Sequence, residues 1–279
     1  MNASVCQFGP EQNLVGILTE PSAGKVGPND PAVLMLNVGL LHRVGPHRMS
    51  VELAKQLAAA GIRSLRFDMG GYGDSEVSIA AKSDVTRIYS DIRDAIDFLE
   101  REHNVHSFVL FGSCSGADNA HAVALRDPRV AGAILLDGHG YWTWRSYINH
   151  YLPRAFHVRV WINFARRGFS VQKELHEEER SPLRGQLRRP FGPRLEVRRE
   201  IQSLANRGVQ MLYVYTGGVE HYYNYAGQFF AMFRGLDARG KIEVEYFPDS
   251  DHTYTFAQDR ERMFRRVIEW YGSRTWNPK

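Results

Sequence analysis

The sequence predicts an α/β fold in which a parallel sheet carries helices on both faces, and three observations lead there. Short, continuously apolar runs alternate with segments whose apolar residues recur every three or four positions, the mark of buried strands followed by amphipathic helices. The runs empty into loops rich in glycine and aspartate, such as Met69-Gly70-Gly71-Tyr72-Gly73-Asp74-Ser75. One run, Ser107 to Phe111, ends in Gly112-Ser113-Cys114-Ser115-Gly116 ahead of a small-residue helical segment, a strand-to-helix turn that lifts its central side chain above the sheet. With 279 residues, 43% of them hydrophobic and 24% charged, the chain is long enough for one large core with an insertion.

In chain order, Ala32 to Asn37 reads as a strand buried on both faces, ending at Gly39. Met49 to Ala60 carries Leu53 and Leu57 four apart and stops at Gly61, a helix with a glycine end signal. Ile62 to Asp68 is the next strand. From Ser83, the residues Val85, Ile88, Ile92, Ile96 and Leu99 line one helical face. The strand that follows delivers Cys114, Ala117 to Leu125 forms a helix closed by Asp127-Pro128, and Val130 to Leu136 is another buried strand ending at Asp137-Gly138. The rhythm returns with strands at Val209 to Tyr215 and Ile242 to Phe247. A last helix, Arg260 to Tyr271, has Met263, Val267, Ile268 and Tyr271 on one face.

Between Tyr141 and Ala205 the alternation lapses into a stretch rich in Arg, Trp and Tyr, with Pro153, Pro182, Pro190 and Pro193 and no clear strand. Such an insertion at the carboxyl ends of sheet strands is where lids sit, so the expected division is a core of residues 1–140 and 206–279 and an arginine-rich helical lid of residues 141–205. The arginines from Arg145 to Arg199 outnumber their acidic neighbours and account for much of the net charge of +4. They read either as a solvated, internally paired helical face or as a positive rim that attracts an acidic partner or a phosphate. No zinc-ligand spacing, RNA-binding aromatic motif or repeat accompanies them, which argues against nucleic acid as a partner and against a metal.

The N-terminus, Met1 to Pro10, lacks a basic start followed by an apolar stretch, and no segment offers about 18 uninterrupted apolar residues. The expectation is a soluble, cytoplasmic protein without a membrane partner. A disulfide between Cys6 and Cys114, the two cysteines, would quench the reactive position, which also favours a reducing compartment.

A cysteine on such a turn is a nucleophile in need of a base, and the base needs an orienting group. His252, in Pro248-Asp249-Ser250-Asp251-His252-Thr253 directly after the last strand, is the leading base, with His221 as its rival. For the acid, Glu220 follows the Val209 to Tyr215 strand in Thr216-Gly217-Gly218-Val219-Glu220, and Asp137 at the end of the preceding strand is the alternative. An oxyanion needs two fixed N–H donors: Ser115 supplies one, and Leu40 the other, with Gly39 allowing the backbone close to the substrate. His42, Arg43, His47 and Arg48 come next, either as substrate contacts or as a polar surface turn.

Gly-Ser-Cys-Ser-Gly at 112–116, Asp68-x-x-Gly71-x-Gly73-x-Ser75, the Gly39-Leu40 loop and Asp251-His252-Thr253 together resemble the α/β-hydrolase superfamily, across nearly the whole chain. The resemblance implies an eight-stranded, mostly parallel sheet with a helical lid inserted after the sixth strand, and acyl-transfer chemistry without a cofactor. The departure is cysteine where most members carry serine. In that respect the chain is similar to dienelactone-type hydrolases, thioesterases and carrier-protein acyl or aminoacyl shuttles.

Sulfur shifts the functional expectation. A thiol beside histidine is strongly nucleophilic, and the acyl-enzyme it forms is a thioester, nearly balanced in energy against another thioester. The sequence therefore points to an acyltransferase or thioesterase acting on a carrier-protein-bound or coenzyme A thioester, whose phosphopantetheine arm and acidic carrier suit the arginines. One alternative is a hydrolase of small esters or lactones with an apolar acyl pocket under Trp142, Trp144 and Trp161; another is a non-catalytic, ligand-binding member of the fold.

Overall fold

The computed structural model describes residues 1–22, 30–79, 84–155 and 191–276 of the chain. Eight strands form one sheet: β1 (Asn2–Phe8), β2 (Leu14–Glu20), β3 (Ala32–Met35), β4 (Ser64–Phe67), β5 (Phe108–Ser113), β6 (Val130–Leu136), β7 (Gln210–Thr216) and β8 (Ile242–Phe247). Their spatial order is β1-β2-β4-β3-β5-β6-β7-β8. The pairs from β4 to β8 are all parallel, while β1 with β2 and β2 with β4 run antiparallel. The six strands expected from apolar runs are the six parallel ones. The antiparallel pair at the edge turns through Gly9, whose φ of +88° suits a residue without a side chain.

Strand period sorts the residues into two cores. On one face Leu34, Leu65, Leu110, Leu135 and Tyr213 pack with α2 (Asp84–His103), α3 (Ser115–Arg126) and α5 (Arg194–Asn206). On the other, Val33, Met35, Val109, Phe111, Ile134 and Leu212 meet α1 (Met49–Ala59) and α7 (Ala257–Gly272). Because successive side chains on a strand point to opposite faces, a run buried on both sides reads as continuously apolar, which is why these strands were legible.

Between β6 and β7 lie α4 (Trp144–Ala155) and α5; a short helix, α6 (Gln228–Met232), follows β7. The centre of the expected lid, residues 156–190 with Trp161, lies outside the described residues. Its carboxyl end is a core helix, since Ile201 and Leu204 of α5 are fully buried in the first cluster.

The connections place a topological switch at β3. The chain leaves β3 toward β4 on one side and returns through α2 to β5 on the other, so the loop after β3 and the turn after β5 open side by side at the carboxyl edge of the sheet.

Candidate active site

Cys114 stands on the turn between β5 and α3 with φ 54° and ψ −121°, a region a residue with a side chain enters only under constraint. Its own N–H donates to Leu136 O at 2.9 Å, and its carbonyl accepts the Ala117 N–H at 3.0 Å. The flanking glycines make the turn possible. A Cβ on Gly116 would come within 2.6 Å of Asn37 O, and one on Gly112 would overlap the backbone of Gly116. The thiol is therefore held half-buried above the sheet.

His252 reaches it from the loop after β8. Its Nδ1 lies 2.8 Å from Asp137 Oδ2, and the Cys114 thiol is its other side-chain hydrogen-bond partner. These two hydrogen bonds, Asp137 first, outweigh partial burial and push the imidazole up from 6.5 to about 10. The carboxylate of Asp137 is completely buried and accepts the Thr216 N–H and the Thr216 hydroxyl, each at 2.7 Å. The Tyr222 hydroxyl donates to the Asp137 carbonyl at 3.0 Å, pinning the turn that follows β6.

The structure brings Asp137 to His252, and not Glu220, the residue favoured from sequence. After β7, the turn at Gly217–Val219 runs hard against the next loop, with Gly217 on the Pro248 carbonyl and Gly218 on the His252 backbone. That close backbone approach leaves Glu220 on the exposed end of the turn, while β6 delivers Asp137 beneath the imidazole. His221 is likewise exposed, its ring edge-on to Tyr222 at 4.7 Å.

The loop after β3 lies over the same site. Gly39, at φ +55°, donates its N–H to Ser115 Oγ at 2.9 Å, tying this loop to the first residue of α3. Among the described residues, the N–H groups of Leu40 and Ser115 donate to no protein acceptor. The Ser115 N–H is one of the unsatisfied donors at a helix start, the kind that binds an anion.

Asn37 was not singled out from sequence, yet it braces this loop. Its amide donates to Leu41 O at 2.8 Å and Asp68 Oδ1 at 3.1 Å, and its Oδ1 accepts the Met69 N–H at 2.9 Å. Arg43 bonds Asp68 and, at 2.7 Å, Asp74, while His42 Nε2 stands 3.3 Å from Asp68 and 3.4 Å from Asp74. His42 thus belongs to a polar network that joins the post-β3 loop to the Asp68–Ser75 loop. The aspartate of the Asp68-x-x-Gly71-x-Gly73-x-Ser75 motif is its buried centre.

Of the three tryptophans expected at an acyl pocket, Trp142 and Trp144 fall within the described residues. Trp142 packs on Tyr147 at 4.7 Å and His150 at 5.1 Å between ring centroids, and Trp144 is 65% exposed on α4. Cys6 and Cys114 are both free thiols, and burial pushes Cys6 up to about 11. Among the described residues, no helix is long and apolar enough to cross a membrane.

A positive-φ turn bearing a thiol, an imidazole backed by a buried carboxylate and, among the described residues, two N–H groups without a protein acceptor lie together at the carboxyl edge of this sheet, a candidate site of the α/β-hydrolase type. The chain has the α/β-hydrolase fold. Residues 36–168 match the family model described as serine aminopeptidase, S33. A comparison with curated proteins finds no match. Among solved structures, an esterase from Pyrococcus furiosus is similar over 97% of this chain and 90% of its own, with TM-score 0.62 and 14% identity. The α/β hydrolase GrgF from Penicillium sp. sh18 is similar over 97% and 98%, with TM-score 0.60 and 17% identity. The meta-cleavage product hydrolase CumD from Pseudomonas fluorescens IP01 is similar over 96% and 97%, with TM-score 0.57 and 15% identity. At these identities the structures speak for the fold, and it is the family match over residues 36–168 that points to a hydrolase.

Proposed function

We propose that the protein transfers acyl groups through an acyl-cysteine intermediate, taking them from a carrier-protein-bound or coenzyme A thioester. The observation that carries this reading is the thiol of Cys114 hydrogen-bonded to an imidazole that is itself backed by the buried carboxylate of Asp137. With the thiol proton already resting on His252, Sγ of Cys114 attacks the thioester carbonyl as the thiolate. The carbonyl oxygen becomes an oxyanion that the N–H groups of Leu40 and Ser115 receive. The intermediate collapses by breaking the bond to the pantetheine sulfur, which leaves with the proton from His252, and the acyl group stays on Cys114 as a thioester. An acceptor thiol then gives its proton to His252 and attacks in turn, releasing the product thioester and the Cys114 thiolate.

Thioester-to-thioester exchange is nearly balanced in energy, so a sulfur nucleophile suits reversible loading and unloading. Arginines of residues 141–205 would meet the phosphate of the pantetheine arm or an acidic carrier surface. No cofactor or metal takes part, nucleic acid and membrane have no role, and the reduced thiol that the chemistry demands fits a cytoplasmic setting. A second reading, hydrolysis of small esters or lactones, is favoured by the family match and the esterase neighbour, in which case water is the acceptor.

The deciding experiment measures kcat/KM for acyl-pantetheine thioesters and for oxygen esters of the same acyl group, each with a competing thiol acceptor present. Preference for thioesters with the acyl group recovered on the acceptor thiol supports transfer. Preference for oxygen esters with free acid as the sole product assigns the protein to the second reading.

A further inference from the structure

A cleft of about 250 Å³ opens between α3 and α5, lined along α3 from Asp118 to Arg126. Its floor is polar and deeply placed: Asp118, His121 and His139 are 8%, 3% and 8% exposed. Glu196 and Glu200 stand on the α5 side, and Arg126 is the single formal cation of the lining. Three carboxylates against one guanidinium make the cleft negative in a chain whose overall charge is +4.

The imidazoles say what would satisfy it. His121 Nε2 lies 3.0 Å from Glu200 Oε2, whereas its Nδ1 is buried and has no hydrogen-bond partner. With the shared proton on Nε2, Nδ1 presents a lone pair that only an incoming donor can satisfy, and leaving such an atom unpaired is costly. His139 packs edge-on against His121 at 4.9 Å, and burial, with the neighbouring His121 next, pushes it down to about 3. It is uncharged at neutral pH and does not repel a cation. Phe191 adds a ring face 5.5 Å from His139.

A metal ion fits less well. Among the described residues, the grouping with three donor atoms close enough to share one ion is His42, Asp68 and Asp74, on another part of the surface, and Arg43 already bonds both of its carboxylates. The donors of the α3–α5 cleft are spread more widely, which suits the several N–H bonds of an ammonium group.

We propose that this cleft binds a small organic cation, a protonated alkyl amine, with His121 Nδ1 and the carboxylates of Glu196 and Glu200 as acceptors. The proposal goes beyond acyl transfer and does not depend on it.

Isothermal titration of the full chain with putrescine and propylamine, against propanol and butyrate as neutral and anionic controls, tests it. The amines are expected to bind, putrescine tighter, with no binding of the controls. Glu196→Gln and Glu200→Gln should each weaken putrescine by about 5-fold, and Arg126→Gln should strengthen it by a similar factor. Opposite responses to removing an anion and a cation are not what a general loss of structure produces, and Glu196, being exposed, keeps the test valid if Glu200→Gln misfolds. Cys114→Ala should bind putrescine as well as the natural protein, so failure of the acyl-transfer reading leaves this result standing. Absence of amine binding, equal binding of the controls, indifference to the carboxylate substitutions, or binding of Zn²⁺ in place of amines would overturn the proposal.

Discussion

Replacing Asp137 by Asn separates the two candidate acids most sharply. In the natural site Asp137 Oδ1 accepts the Thr216 N–H, and Oδ2 accepts both the Thr216 hydroxyl and His252 Nδ1. An Asn that keeps its carbonyl on the Thr216 N–H must turn its NH2 toward the hydroxyl and the imidazole. The hydroxyl can reverse to accept, but Nδ1 must then accept as well, which places the ring proton on the nitrogen nearer Cys114. That tautomer cannot take the thiol proton. The imidazole also loses the largest of the interactions that raise it from 6.5 to about 10. In a serine triad the equivalent change costs about 10⁴-fold in kcat. A thiol depends less on its base, so about 10²- to 10³-fold, or about 3–4 kcal/mol of transition-state stabilisation, is expected here. The assay is the rate of acyl-adduct formation by intact mass at fixed thioester concentration. Glu220→Gln, at an exposed position, should stay within about 3-fold. A larger loss in Glu220→Gln than in Asp137→Asn would refute the reasoning.

The remaining expectations concern the elbow, its loop and pH. Gly116→Ala, which drives a Cβ to 2.6 Å from Asn37 O, should cost about 2–4 kcal/mol, read as a lower denaturant midpoint with unchanged slope. Ser115→Ala removes the acceptor of the Gly39 N–H and should lower kcat by about 10-fold with little change in KM, since the loop that carries Leu40 loses its tether. Cys114→Ser should shift partition from thiol acceptors toward water, measured as the ratio of transferred to hydrolysed acyl group. The folded protein holds the His252 proton up to about 10, whereas an unfolded chain releases it near 6.5. The pair therefore adds stability below pH 6.5 that declines as pH rises toward 10. Denaturant midpoints across that interval should fall for the natural protein and flatten in His252→Asn.

What the sequence made legible follows from how strongly each feature constrains its residues. The parallel strands are apolar on every position because both faces are covered, and Gly112 and Gly116 are imposed by contacts that no side chain survives. The antiparallel β1 escaped reading because it is an edge strand: Val5 is 72% exposed, so Asn2–Phe8 lacks an apolar pattern. The acid was harder still. Glu220 and Asp137 both follow strands that end beside the histidine loop, and strand order alone does not distinguish them. The choice is made by the Gly217–Gly218 backbone pressing on Pro248 and His252, which turns Glu220 outward, and by Thr216, which offers two donors to Asp137. The sequence signals were present, a Thr-Gly-Gly turn and an Asp at the end of a buried strand, but their pairing is a matter of three-dimensional register. His42 is a similar case: that it stands beside both Asp68 and Asp74 depends on two loops meeting in space, which strand order alone does not give.

In the proposed reaction Cys114 becomes acylated, with His252 and Asp137 as its partners. Single-turnover incubation with an acyl-pantetheine thioester, followed by peptide mapping of the modified mass, tests this most directly. The acyl group should map to the peptide bearing Cys114, form far more slowly in His252→Asn and vanish in Cys114→Ala; turnover that persists in Cys114→Ala would contradict it.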